Sequence, residues 1–131
     1  MSTKKAKLLI FSVGAIGYGL LEILWRGYTH WSMLIAGGIC FSAFSHIGNK
    51  MKKTTILIKG ITGGLFITFI EFLFGVIFNI ILKLKVWDYS KLPFNIAGQV
   101  CLLYTVIWSL ISMLCIPFAS FLSDKIVSKK E

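Results

Sequence analysis

Histidine, cysteine and acidic residues are scarce in this sequence. Its 131 residues include two histidines, three cysteines and five aspartates and glutamates, and they contain neither a G-x-x-x-x-G-K-[ST] phosphate-binding motif nor an H-E-x-x-H zinc motif. The apolar segments described below place His30 and His46 on opposite sides of a membrane, where they cannot share a metal ion. We therefore expect no metal site, no other cofactor and no enzymatic activity.

Apolar residues are abundant instead, with 56% hydrophobic residues and a mean hydropathy of +0.83. A net charge of +9 on a soluble domain would suggest nucleic acid. Here the lysines cluster between apolar runs, where they set the orientation of membrane helices. We predict a protein partnered by the lipid bilayer and not by nucleic acid. The cysteines lie inside apolar runs and are interpreted as small hydrophobes, with a disulfide between Cys40 and Cys101 as the less favoured alternative.

Four apolar segments are long enough to cross a bilayer as helices, at about residues 8–25, 31–47, 55–82 and 96–122. No small-residue cleavage site follows the first, so we expect it to stay as a helix and not to be removed as a signal peptide. Pro93 is suited to the start of the last helix and Pro117 to a kink within it. We predict an all-α, polytopic membrane protein, with residues 1–131 forming a single domain of four transmembrane helices.

An internal repeat indicates that these helices are two duplicated hairpins. The segment RGYTHWSMLIAGGIC (26–40) aligns without a gap on WDYSKLPFNIAGQVC (87–101), which pairs Tyr28 with Tyr89 and Cys40 with Cys101. An apolar segment that contains one acid precedes each copy. The predicted halves are about residues 8–48 and 55–122, related by a pseudo-two-fold axis along the membrane normal.

The distribution of basic residues predicts the orientation. The side of the membrane that holds both termini has ten lysines: Lys4, Lys5, Lys7, Lys50, Lys52, Lys53, Lys59, Lys125, Lys129 and Lys130. The two loops on the other side have four basic residues: Arg26, Lys83, Lys85 and Lys91. Because loops rich in lysine and arginine stay on the cytoplasmic side, we predict that both termini are cytoplasmic.

Glu71 is the residue that a membrane location makes costly. It lies near the middle of the third segment, where an ionised carboxylate costs about 2.5 kcal/mol or more. It should therefore face the bundle interior and either lose its charge or find a cationic or hydrogen-bonding partner. Asn95 and Gln99, four residues apart on the predicted fourth helix, are the expected partners. We favour a functional role for Glu71; the alternative is a protonated side chain that only joins helices.

A second group of polar residues is predicted near the outer surface. Glu22 and Arg26, four residues apart on the first helix, either form a structural ion pair or line a polar vestibule. The candidate solute-binding residues are Glu71, Glu22, Arg26, Asn95, Gln99, Trp87, Asp88 and Tyr89.

Three segments, GYGLLEILWRG, HWSM and WDYSKLPFNIAGQVCL, resemble the putative ABC-transporter type IV family of small, permease-like bacterial membrane proteins. The likeness extends from about Gly14 to about Ser112, and its most specific part is WDYS-x-x-P-x-N-x-x-G. The resemblance implies a multi-pass permease of the bacterial inner membrane, and the family's name implies an ATPase partner subunit.

Two functions are consistent with the sequence. The first is a small membrane transport component of unknown substrate, acting as a homo-oligomer or with partner subunits, since four helices enclose little space. The second is a non-transport assembly or regulatory protein whose buried polar residues are structural.

Overall fold

The long apolar stretches of the chain fold into helices that pack as a bundle. The computed structural model describes residues 3–27 and 29–128. Within these residues the four helices are α1 (Thr3–Arg26), α2 (Trp31–Lys50), α3 (Ile56–Phe74) and α4 (Leu102–Ser128), and a π-helix (Gly75–Ile81) continues α3. Four helical segments of this part, Lys4–Trp25, Trp31–Lys50, Ile56–Ile81 and Leu102–Ile126, are long and apolar enough to cross a membrane. The prediction of an all-α, four-helix polytopic membrane protein is confirmed.

The start of α2 agrees with the sequence prediction and is fixed by its N-cap. His30 has an extended backbone, and its Nδ1 atom accepts a hydrogen bond from the backbone N–H of Ser32 at 3.2 Å. This bond satisfies one of the donors that a helix N-terminus leaves unpaired. His30 therefore has a defined structural role at the start of α2.

Small residues let the helices of each hairpin approach closely. A Cβ atom at Gly14 of α1 would lie 2.8 Å from the carbonyl oxygen of Gly37 in α2. In the second hairpin, a Cβ atom at Gly64 of α3 would lie 2.7 Å from the Cα atom of Ser109 in α4. Membrane helices associate largely through such close packing, because the lipid provides little hydrophobic drive for it.

Contacts between distant segments define the two ends of the bundle. Ala6 near the start of α1 packs with Ile126 near the end of α4, so the N-terminal part of α1 and the C-terminal part of α4 share one end. At the opposite end, the ring of Trp31 meets that of Phe78 with centroids 5.2 Å apart. A buried cluster of Phe44, Ile67, Ile116 and Ala119 joins α2, α3 and α4 between these ends.

The predicted start of the fourth helix is wrong. The helix begins at Leu102, and residues 82–101 form a loop in which β1 (Asn95–Ile96) pairs antiparallel with β2 (Val100–Cys101). The reason is local: Phe94, Ala97 and Gly98 all have positive φ angles, of 56°, 54° and 72°, which a right-handed helix cannot contain. Pro93 therefore precedes a turn, whereas Pro117 lies inside α4, which continues past it to Ser128.

The same loop contradicts the ungapped alignment of the two repeats. Residues 35–40 are helical in α2, but the residues aligned on them, 96–101, form the hairpin. Cys40 and Cys101 are both free thiols, so the disulfide alternative is wrong. The pairing of Tyr28 with Tyr89 lies outside the described residues. Duplication of the hairpins stays a prediction, without the register that the sequence suggested.

Candidate functional site

Glu71 lies in the bundle interior, where two side chains donate hydrogen bonds to it. It is 8% exposed. The Tyr89 hydroxyl donates to its Oε2 atom at 3.0 Å, and the indole Nε1 of Trp108 donates to its Oε1 atom at 2.9 Å. The predicted interior position is confirmed, but the predicted partners, Asn95 and Gln99, are wrong. They fail because they belong to a loop with its own hydrogen bonds and not to a helix face.

Tyr89 reaches Glu71 from the loop and is held by its ring and its backbone. Its ring stacks on that of Tyr104 in α4, with centroids 4.7 Å apart and planes 9° from parallel. Its backbone N–H donates to the carbonyl oxygen of Gly98 at 2.7 Å. Burial, and then the adjacent Glu71 carboxylate, raise the pKa of the Tyr89 hydroxyl. The hydroxyl therefore stays protonated and remains a donor at neutral pH.

Trp108 supplies the second donor from the second turn of α4. Its ring centroid is 6.2 Å from that of Tyr18 in α1, so its indole lies between helices. One turn away, the Thr68 and Thr105 hydroxyls are 2.8 Å apart and join α3 to α4 beside the site. Trp108 was not among the site residues predicted from the sequence. Its position in the predicted fourth segment was the signal that could have identified it. Tryptophan is enriched at membrane surfaces, so one inside a span is unusual, and its indole N–H needs an acceptor there.

Asn95 organises the loop and does not contact Glu71. Its Oδ1 atom accepts from the backbone N–H of Gly98 at 3.0 Å, and its Nδ2 atom donates to the carbonyl oxygens of Ser90 at 3.2 Å and of Leu92 at 2.8 Å. An asparagine that bonds its own backbone in this way stabilises a turn against a helix.

Gln99 joins the loop to the π-helix. Its side-chain Oε1 atom accepts from Asn79 Nδ2 at 2.8 Å, and its backbone carbonyl oxygen accepts from the indole Nε1 of Trp87 at 2.9 Å. Asn79 in turn accepts from the backbone N–H of Val86 at 2.6 Å. A Cβ atom at Gly75 would lie 2.8 Å from the Cβ atom of Gln99, so a side chain at position 75 would push the loop away from the helix. The loop is thus fixed against the helix that carries Glu71.

The remaining predicted residues lie away from this centre. Asp88 is exposed, and the backbone N–H of Ser90, 2.9 Å from its Oδ1 atom, holds the pKa of Asp88 below its usual range. Glu22 is partly exposed and interacts electrostatically with Glu71, but it is outside the cavity wall that the described residues form. The side chain of Arg26 lies outside the described residues, so the Glu22–Arg26 ion pair stays a prediction.

A cavity of about 390 Å³ lies beside Glu71, between all four helices. Its wall includes Tyr18 of α1, Phe44 of α2, Trp108 of α4 and Trp87 of the loop. Most of the lining is apolar, and among the described residues Glu71 is the one carboxylate in it. Of the predicted site residues, Glu71 and Trp87 line this cavity. Tyr89 is not in the wall, but it donates a hydrogen bond to Glu71. Within residues 3–27 and 29–128, no group of three or more histidine, cysteine, aspartate or glutamate side chains is placed to hold a metal ion.

The fold and the site define a multi-pass membrane protein with an apolar central cavity and a buried carboxylate in its wall. The chain belongs to the putative ABC-transporter type IV family, whose family model matches residues 9–131. This match confirms the resemblance seen in the sequence. No curated protein and no solved structure is significantly similar to the chain.

Proposed function

We propose that the chain is a membrane transport component and that its solute path includes the central cavity. It acts as a homo-oligomer or with partner subunits, among which the family's name favours an ATPase. We place it in the bacterial inner membrane with both termini cytoplasmic, and we assign it no enzymatic activity. The observation that carries the proposal is the position of the Glu71 carboxylate. Glu71 belongs to a candidate membrane-spanning segment, and it lies in the wall of the central cavity.

The cavity is what favours transport over a purely structural role. Protein interiors are close-packed, and a side chain that only joins helices needs no space beside it. Here a cavity of about 390 Å³ adjoins Glu71, and residues from all four helices line it. Ionisable residues within membrane spans are expensive, and they commonly mark solute or proton pathways.

A second candidate, a non-transport assembly or regulatory protein, is favoured by one observation. Both oxygen atoms of Glu71 already accept hydrogen bonds from the protein, from Tyr89 and Trp108. A residue that fastens the loop and α4 to α3 would need these same contacts. The two functions therefore differ in whether Glu71 matters beyond stability.

The test uses membrane vesicles from the cell that encodes the chain, so that natural partner subunits are present. The chromosomal copy is deleted and replaced by the wild type, Glu71→Gln or Asp124→Asn. Asp124 is an exposed aspartate near the end of α4, so its substitution is a control that removes one carboxylate charge elsewhere. Vesicles energised with ATP are incubated with a small-molecule extract of the same cells, and their contents are measured by mass spectrometry.

Transport predicts at least one solute whose accumulation differs between wild-type and deletion vesicles. Asp124→Asn should restore the wild-type content, and Glu71→Gln should not. Identical contents in wild-type and deletion vesicles would contradict transport and favour the assembly function.

A further inference from the structure

We infer that the central cavity binds an organic cation with an apolar body, with its charge beside Glu71 and its apolar part against the helices. The inference rests on the proposed function, because it treats the cavity as the place that a solute occupies. It is argued from the charge, the lining and the size of that cavity.

The first step is the charge of the wall. A neutral carboxyl group has its own O–H to donate, whereas an ionised carboxylate only accepts. Both oxygens of Glu71 are contacted by groups that can donate to them, the Tyr89 hydroxyl and the Trp108 indole N–H, so the ionised form has a partner for each oxygen. Both donors are neutral, and no lysine, arginine or histidine side chain of the described residues pairs with Glu71. When Glu71 is ionised, the site carries a negative charge that its neighbours solvate without neutralising, and a cation bound beside it favours that ionised form.

The second step is the apolar and aromatic lining. The rings of Tyr18, Trp87 and Trp108 line the same cavity as Glu71, with those of Tyr18 and Trp108 6.2 Å apart. Aromatic faces attract cations, and tryptophan does so most strongly. An ammonium group beside Glu71 would gain from the carboxylate and from these rings. Ile67, Ile70 and Met33, also in the wall, leave the rest of the ligand an apolar surface.

The third step excludes other classes of ligand. An anion would face the Glu71 carboxylate in a medium where like charges repel strongly. A sugar would lose hydrogen bonds to water that this largely apolar wall cannot replace. A hard metal ion needs six or more oxygen ligands, or several waters in their place, and the wall offers one carboxylate among the described residues. An apolar cation is the class that matches both the single charge and the lining.

The test is a binding experiment with two probes of nearly equal shape. Benzyltrimethylammonium has a permanent positive charge, and neopentylbenzene is its neutral counterpart, with carbon in place of nitrogen. Binding of each to the purified full-length protein in detergent is measured by equilibrium dialysis with labelled probe. The comparison on the wild type needs no variant, so it does not depend on whether a substitution folds.

We expect the wild type to bind the cation at least about tenfold more tightly than the neutral probe, since a tenfold ratio corresponds to a modest net attraction. Glu71→Gln should reduce that ratio to about twofold or less, and Asp124→Asn should leave it unchanged. Equal binding of the two probes by the wild type would overturn the inference. A preference that persists in Glu71→Gln would also overturn it, because the charge would then lie elsewhere.

This result is separate from the fate of the proposed function. The binding ratio decides the class of ligand, whereas the vesicle experiment decides transport. A clear cation preference together with unchanged vesicle contents would retain the ligand class and contradict transport. Absence of the preference together with altered vesicle contents would do the reverse.

Discussion

The replacement of Glu71 by glutamine separates the charge of this residue from its hydrogen bonds. In Glu71→Gln the amide oxygen can accept from the Trp108 N–H, which is only a donor. The amide nitrogen can donate to the Tyr89 oxygen, because a tyrosine hydroxyl both donates and accepts. Both contacts seen in the structure, at 2.9 and 3.0 Å, can therefore be kept as neutral hydrogen bonds.

The free-energy terms of this replacement nearly cancel. A hydrogen bond to a charged group contributes about 1.5–3 kcal/mol and a neutral one about 0.5–1.5 kcal/mol, so two weakened bonds cost about 2–3 kcal/mol. Removal of an ionised carboxylate from a membrane-spanning segment recovers about 2.5 kcal/mol or more. We expect the free energy of unfolding of Glu71→Gln to lie within about 1 kcal/mol of the wild type.

Trp108→Phe provides the comparison, because it removes a donor and leaves the charge. One carboxylate oxygen of Glu71 then loses its partner inside the bundle, which should cost about 1.5–3 kcal/mol. In the Glu71→Gln background the same substitution should cost less, so a double-mutant cycle should show coupling of about 1 kcal/mol. The assay is unfolding in mixed detergent micelles, followed by circular dichroism so that the loss of an indole does not affect the signal.

The result that would refute this reasoning is the reverse order of stabilities. If Glu71→Gln lost about 3 kcal/mol or more while Trp108→Phe stayed near the wild type, the charge itself would stabilise the fold, by an interaction other than these two bonds. An additive cycle would show that Glu71 and Trp108 act independently, despite the 2.9 Å contact.

Three further predictions test the packing, the pKa and the orientation. Gly64→Ala should lower the free energy of unfolding by about 1–3 kcal/mol, because its Cβ atom would lie 2.7 Å from the Cα of Ser109, whereas Gly17→Ala, with open space around its Cβ, should be neutral or stabilising in the same unfolding assay. Because the pKa of Tyr89 is raised in the folded protein, its stabilising contribution should be complete below its ordinary pKa of about 10 and decline at higher pH. Unfolding measured across a pH series should therefore show a smaller alkaline loss in Tyr89→Phe, and identical curves would contradict the raised pKa. A reporter that requires the cytoplasm should be active when it is fused after Glu131. Activity of a fused reporter that requires the outer side would contradict the predicted orientation.

The helices could be predicted from the sequence because their signal is long and local. A run of about 20 apolar residues can hardly be anything but a membrane span, and the short link before Trp31 requires an antiparallel return. The ends of α2, and those of α3 taken together with the π-helix that continues it, accordingly agree with the sequence to within a few residues. The interior position of Glu71 could be predicted for the same reason, since lipid solvates a carboxylate so poorly.

The partners of Glu71 could not be predicted in this way, because they depend on a turn. Asn95 and Gln99 have helical spacing, and the apolar residues after them made the segment resemble the start of a span. Asn95 instead bonds the backbone of Gly98 and Leu92, and Ala97 adopts a positive φ angle of 54° that composition does not indicate. With that turn in place the segment cannot be helical, and Tyr89, rather than Asn95 or Gln99, contacts Glu71.

The most specific part of the family resemblance, WDYS-x-x-P-x-N-x-x-G, coincides with this loop, and the structure gives physical roles to four of its residues. Trp87 forms part of the cavity wall, and Tyr89 donates to Glu71. Asn95 and Gly98 form the turn, whose backbone also fixes Tyr89 through the 2.7 Å bond to Gly98. The motif thus specifies a loop that contributes a wall and a hydrogen-bond donor to a site whose acid comes from α3. Because Tyr89 donates to Glu71 and Gln99 accepts from Asn79 of the π-helix that continues α3, the geometry of the site depends on the loop and on α3 together.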